Sequence, residues 1–266
     1  MKKNQARFFN KAKLWLKKLY FSAPKERTSL FKKAYSSLYD VYGNAKKTNS
    51  NDIQKQEFLY KLLVGRGKDI LEIGCGDGKL LSRLSNISRN CVGIDLFPSK
   101  YWQASKNLKF ISTDAVLPKI KKHFDVIISI QFIEHIHPDD IESHLMIIYK
   151  LLKKSGVFIL ETPNAITRGT YKRIGYKTET MIWHLHLKEW SYQELKNILS
   201  GTGFLKINTF FLPMSFAKYH FARFGIIPIE FLLFLEKMIR LIPVSNLRRL
   251  IGRLIKMENC IIIANK

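Results

Sequence analysis

The ten residues from Asp69 to Gly78, DILEIGCGDG, constrain this chain more than any other stretch. Asp69 to Ile73 is rich in Ile and Leu and free of proline, the pattern of a short strand buried on both faces. Gly74, Gly76 and Gly78 follow at alternate positions, and Lys79 to Leu84 then has helical periodicity. Strand, glycine-rich turn and helix form the nucleotide-binding opening of a doubly wound α/β fold. Glycine tolerates positive φ and lets a ligand approach the backbone, while the helix N-terminus offers unpaired N–H groups to an anion. A dinucleotide fingerprint, G-x-G-x-x-G, needs its third glycine where this chain has Lys79.

Further strands are legible downstream. Cys91 to Asp95 is a second buried strand ending in an acid. Asp95 lies about 20 residues past the first glycine, where a carboxylate accepts bonds from ribose hydroxyls. Leu108 to Ser112 is a third strand, followed by Thr113, Asp114 and Ala115. Phe124 to Ile130 is a fourth, followed by Gln131, Phe132, Ile133, Glu134 and His135. Pro138 opens a helix expected to reach about Lys153 and to stop at Ser155 and Gly156, with Asp139 and Asp140 complementing its dipole. Val157 to Glu161 is a fifth strand, closed by Thr162, Pro163 and Asn164. The polar, basic stretch from Arg168 to Thr180 is expected to loop over the site. Ser191 and Glu194 form a capping box for a helix from Tyr192 to Leu199. Phe204 to Phe211 and Asn259 to Ala264 supply strands six and seven.

The E-x-G-x-G-x-G pattern from Glu72 to Gly78, with the acids after strands two and three, resembles the class I S-adenosylmethionine (SAM)-dependent methyltransferases. Within them it is similar to the branch with "EH" after strand four and "TPN" after strand five. That branch holds ubiquinone-type O-methyltransferases, methyltransferases of cell-surface glycans and small-RNA 2′-O-methyltransferases. The resemblance implies a Rossmann-like seven-stranded sheet in the order 3-2-1-4-5-7-6, strand seven antiparallel. It implies SAM as cofactor, held by Glu72, Gly74, Cys75, Gly76, Gly78, Asp95, Leu96, Asp114, Ala115 and Gln131. Asp114 matches the acid that contacts the adenine amino group in the family, though a turn-forming Asp is the alternative. Residues 52–266 then form the SAM-binding domain, and residues 213–258 an insertion far longer than the usual hairpin between strands six and seven.

Residues 1–51 precede that domain as a basic segment. Phe8, Phe9, Ala12, Trp15, Leu16 and Leu19 share one helical face, either an interfacial basic helix or a helix packed on its own domain. Tyr35 to Gly43 is aromatic and suits a substrate-side helix, residues 44–51 read as a polar breaker, and Asp52 reads as the cap of a helix through Leu63. In the insertion, Ile226 to Ile242 is apolar but carries charges and ends at Pro243, too short and too charged to span a membrane. Leu247 to Lys256 alternates Leu/Ile pairs with arginines at helical spacing, a helical cap or a monotopic membrane contact.

The formal charge is +24, which attracts anionic partners but speaks to solubility rather than fold. Cys75, Cys91 and Cys260 lack C-x-x-C spacing, so neither a disulfide framework nor a thiolate zinc site is indicated, and a reducing cytoplasm fits, with peripheral attachment at the inner face of a membrane as an option.

Methyl transfer to a hydroxyl needs in-line alignment and a proton acceptor. The candidates are Glu134, His135, His184 and His186, a histidine serving as base with a pKa suited to neutral pH. In metal-dependent relatives E-x-x-E-H and a later His hold a divalent cation. Glu134, His135 and His186 match three of those places and Gln131 departs from the fourth, so no metal is assigned. The acceptor reading is a small or lipid-linked molecule, such as a cell-surface sugar or quinone precursor. RNA 2′-O-methylation and non-catalytic SAM binding are the alternatives. An aromatic–basic RNA-binding signature is missing, and so is an N-P-P-Y motif after strand four.

Overall fold

The computed structural model describes residues 2–42, 50–165, 184–212, 234, 238–239, 241–254 and 259–266. Two helices come first, α1 (Lys2–Tyr20) and α2 (Pro24–Tyr42), then α3 (Ser50–Val64). A doubly wound unit follows: β1 (Asp69–Ile73), α4 (Lys79–Leu84), β2 (Asn90–Asp95), β3 (Leu108–Ser112), β4 (Phe124–Ile130), α5 (Ile141–Leu151) and β5 (Leu152–Pro163). Then come α6 (Tyr192–Thr202), β6 (Leu205–Leu212), α7 (Ser245–Leu254) and β7 (Asn259–Asn265).

The seven strands form one sheet in the order β3-β2-β1-β4-β5-β7-β6. The first five pair in parallel, and β7 runs antiparallel between β5 and β6. Alternation along each strand divides the core. Leu71, Ile73, Ile127 and Phe158 pack with Leu145, Ile148, Leu195 and Leu199 of α5 and α6. Ile70, Ile128, Ile159 and Ile261 pack with Leu59, Tyr60, Leu81 and Leu84 of α3 and α4. Burial on both faces is why these strands read as continuous apolar runs.

Some expected boundaries move. α5 stops at Leu151, not near Lys153, because Leu152 is itself buried and pairs with Phe124. Ser155, at φ 63°, with Gly156, lies in an irregular stretch of β5, where the register against β4 shifts, and is not a helix stop. Asp139 and Asp140 sit in a separate 3-10 turn ahead of α5 and both pair with Arg27 of α2. α3 has begun by Ser50, so Asp52 is not its cap and the division expected between residues 51 and 52 falls inside a helix. The Ser191–Glu194 capping box forms as expected, with the helix reaching Thr202 before Gly203 turns left-handed.

The apolar face of α1 is consumed by the chain itself. Phe8, Ala12, Leu16 and Leu19 are buried against Ala34 and Leu38 of α2 and against Leu185 and Leu187. Of the two readings for this helix, packing on its own domain is the one observed. The expected loop from Arg168 to Thr180 and most of the helix from Ile226 to Ile242 lie outside the described residues.

Candidate functional site

The carboxyl ends of β1, β2 and β4, with the loop after β3, open into a cavity of about 1210 Å³ roofed by α2. At its floor, the turn after β1 holds Gly74 and Gly76 at φ 70° and 51°. A Cβ on Gly74 would lie 2.5 Å from the Phe132 ring, whereas one on Gly76 would meet open space. Gly76 is therefore where a ligand can approach the backbone. The turn is braced from both sides. Asp95 Oδ2 accepts from the Gly76 amide at 2.9 Å, and Trp102 Nε1 donates to the Gly76 carbonyl at 2.9 Å. Asp95 Oδ1 accepts from the Phe97 amide, which leaves lone pairs on both oxygens for ligand hydroxyls.

Asp114 forms the turn considered for it and also reaches α2. Its Oδ1 accepts from the Val116 amide at 2.8 Å, forming the turn after β3. Its Oδ2 accepts from Thr28 Oγ1 of α2 at 2.6 Å.

Of the ten residues expected at the cofactor, Gly74, Gly76, Asp95, Leu96, Asp114, Ala115 and Gln131 line the cavity, and Glu72, Cys75 and Gly78 do not. Glu72 shares the strand face of Ile70 and is buried beneath the turn. Burial, then Asp77 and Asp95, push its carboxyl up to about 8. The buried Cys75 thiol is pushed far upward by burial. Gly78 is sealed beneath Phe110 and Trp102, whose rings stack at 5.2 Å.

Opposite the cofactor side the wall is aromatic. Phe31 and Tyr35 of α2 stack at 5.4 Å, and Tyr35 stacks on Phe97 at 5.4 Å. Phe31 meets His135 edge-on at 6.2 Å. His135 faces the cavity, while Glu134 and His186 are buried behind it. Ligand atoms of Glu134, His135 and His186 all lie within 4.8 Å of one another. His186 Nδ1 is 2.6 Å from Glu189 Oε1, and its ring makes a T-shaped contact with His135 at 4.9 Å. His184 is exposed and stacks on His186.

The expectation of a histidine poised near neutrality fails at His135. Burial, then the neighbouring His186, lower its pKa to about 3. With Nδ1 3.3 Å from the Leu185 carbonyl, Nδ1–H donates there and Nε2 keeps a free lone pair. His135 is thus a neutral hydrogen-bond acceptor, a form that also suits metal ligation.

The three-residue cluster passes a test of fit for a divalent cation. Glu134 Oε1 is buried with no hydrogen-bond partner, and the Glu189 carboxylate fixes His186 as outer-shell carboxylates fix ligating histidines. Gln131, at φ 50°, bonds through its side chain to Glu161 and supplies no fourth anionic ligand. Glu189, Thr28 and Phe31 escaped the sequence reading. Glu189 stands three residues after His186, a spacing that could have marked it; no local pattern marks Thr28.

Residues 51–208 match a family described as a methyltransferase domain. The chain is 28% identical over 159 residues to a "Probable S-adenosylmethionine-dependent methyltransferase" of Mycolicibacterium smegmatis, covering 57% of this chain and 58% of that one. It is 33% identical over 102 residues to a ubiquinone biosynthesis O-methyltransferase of Pelagibacter ubique, covering 36% and 42% of the two chains. The matches thus span about half the length of these relatives. The fold is shared with Burkholderia thailandensis 1,6-didemethyltoxoflavin-N1-methyltransferase, solved with S-adenosylhomocysteine and 1,6-didemethyltoxoflavin. That likeness has a TM-score of 0.55 and 15% identity over 92% of this chain and 91% of the other.

Proposed function

The chain belongs to the methyltransferase-domain family of SAM-dependent enzymes, and from that premise we propose that it transfers the SAM methyl group to a hydroxyl oxygen of a small or lipid-linked acceptor. The observation that carries this reading is one cavity with two chemistries: acids and open glycine backbone on one side, an aromatic wall ending at a neutral imidazole on the other. Its size suits a cofactor and an acceptor together, since a single small-molecule site occupies about 300–1,000 Å³. The ubiquinone O-methyltransferase relative supports oxygen as the methylated atom.

We assign Asp95 to the ribose hydroxyls, Asp114 to the adenine amino group and the Gly74–Gly76 turn to the methionyl end. α2 closes over the cavity and excludes water. In the reaction the acceptor oxygen forms a bond to the methyl carbon as the S–CH₃ bond breaks. The acceptor hydroxyl donates to His135 Nε2, which orients the attacking oxygen. With a pKa lowered to about 3 the ring does not keep the proton, which is lost to water as the product leaves. His186 and Glu189 hold the ring environment in place. The unpartnered Glu134 Oε1 favours a second reading of the same cluster. A divalent cation held by Glu134, His135 and His186 would acidify the acceptor hydroxyl.

The test is transfer of labelled methyl from SAM into cell-envelope extracts. Label in an alkali-stable, solvent-extractable ether supports the proposal. Label confined to RNA, or SAM binding with no transfer to any fraction, refutes it. Turnover lost on chelation and restored by Mn²⁺ or Mg²⁺ supports the second reading, and full turnover after chelation removes it.

A further inference from the structure

The connection between β6 and β7 carries side chains that the site does not use. It leaves the sheet at its carboxyl edge, where Leu212 pairs with Asn259 and Asn259 with Pro163. Gln131 and the Gly74–Gly76 turn face the cavity from that same edge. No described helix is long and apolar enough to cross a membrane.

α7 inverts the pattern of an ordinary surface helix, which turns its apolar stripe inward. Leu247, Leu250 and Leu254, at i, i+3 and i+7, are 44%, 54% and 72% exposed, while Arg248 is buried. Phe234, Met238, Leu241 and Val244, in the residues leading into the helix, are exposed as well. Arg248 Nη1 donates to the Ile242 carbonyl at 2.7 Å, but its Nε and Nη2 have no acceptor. No carboxylate among the described residues pairs with it. A buried cation with unused donors is costly until an anionic oxygen completes it. The same stretch of sequence holds Lys237, Arg240, Arg248, Arg249, Arg253 and Lys256 against Glu236 alone.

We propose that α7, together with Phe234, Met238, Leu241 and Val244, forms a monotopic docking surface for an anionic phospholipid bilayer. The leucine row enters the boundary between headgroups and acyl chains. Arg248, about 100° round the helix from Leu247 and buried in the unbound chain, turns outward on docking to take a lipid phosphate. Charge decides the occupant: the sequence of this stretch is basic and the chain carries a formal charge of +24, so a second copy would be repelled where an anionic bilayer attracts. The surface deepens the lipid-linked form of the proposed function, because it sets the cavity edge of the sheet toward the bilayer, yet it is tested separately.

The experiment is flotation of the full chain with vesicles of phosphatidylglycerol and phosphatidylcholine, or phosphatidylcholine alone. It is run at about 0.5 M salt, where the screening length is about 4 Å and net charge alone no longer holds the protein. The parent protein is expected to float with the anionic vesicles. The charge-neutral variant Leu247→Gln/Leu250→Gln/Leu254→Gln is expected to partition about a hundredfold more weakly, with SAM binding unchanged by calorimetry. Arg248→Gln is expected to cut the preference for phosphatidylglycerol about tenfold without lowering the melting temperature. Equal partitioning of parent and triple variant overturns the proposal, as does absence of vesicle binding. Self-association in sedimentation that the triple variant abolishes, with no vesicle binding, assigns the surface to a second copy and overturns it too. Vesicle binding that follows these expectations in a chain that methylates nothing upholds the docking surface and refutes only the proposed function.

Discussion

Glu161→Gln should change the pH dependence of stability in a way that can be worked out from the structure. The carboxyl of Glu161 sits near the end of β5, where it is 2% exposed. The Tyr60 hydroxyl donates to its Oε2 at 2.7 Å, and the Asn259 amide donates to Oε1 at 3.4 Å. Burial raises its pKa from 4.5 to about 7, against the opposing pull of the Tyr60 bond. Because the folded value is the higher one, the native state holds the proton more firmly. The stabilisation is therefore complete below pH 4.5 and is lost as the pH rises through 7. The span corresponds to roughly 3 kcal/mol.

The substitution keeps the shape and removes the proton. Tyr60 can still donate to the amide oxygen, and Asn259, whose Oδ1 has no partner, can turn its own amide to accept from the new NH₂. Urea unfolding of both proteins should give similar stabilities near pH 4.5. By pH 8 the variant should lead by roughly 2–3 kcal/mol, a melting-temperature gain of about 5–10 °C. Glu72, raised to about 8, and His144, lowered to about 4, titrate alike in both proteins, so the difference between them reports Glu161 together with Glu134, whose charge also raises the Glu161 pKa. A difference that stays constant with pH would falsify the reasoning.

Gly74→Ala places a Cβ 2.5 Å from Phe132 at a residue with φ 70°; it should destabilise the fold by about 1–3 kcal/mol in urea unfolding and weaken SAM binding at least tenfold by calorimetry. Asp95→Ala should weaken SAM binding by about two orders of magnitude, since it removes both the proposed ribose acceptor and the brace on the Gly76 amide. A SAM affinity within threefold of the parent would exclude that role. His135→Ala, which removes the bond proposed to orient the acceptor oxygen, should lower turnover about 10²-fold with unchanged SAM affinity, measured in single-turnover assays. Thr28→Val, which removes the bond to Asp114, should keep the fold but alter the KM for SAM more than kcat.

What was legible in the sequence was whatever short-range pattern encodes. β1, β3 and β4 match their expected bounds because each is a short apolar-centred run with polar or glycine residues on either side. β1 and β4 are largely buried, whereas β3 lies at the edge of the sheet with Leu108 alone fully buried. The capping box at Ser191 was equally local. The end of α5 was misplaced because a glycine after a polar pair looks like a helix stop, while the force that ends the helix is the burial of Leu152 in a sheet made by distant strands. The same holds at the site. Gly74, Gly76 and Asp95 follow from spacing. The Thr28–Asp114 bond joins residues 86 apart, and the depressed His135 pKa depends on burial that no neighbour in sequence reveals.

β7 follows β6 in order but occupies the sheet's interior, between β5 and β6. Until those seven residues leave the ribosome, β6 has no ladder to join and the outer edge of β5 stays open. Nascent chains should therefore hold a five-stranded intermediate with an exposed edge, a natural point for chaperone engagement. A nonsense or frameshift lesion ahead of Asn259 would remove a strand from the middle of the sheet.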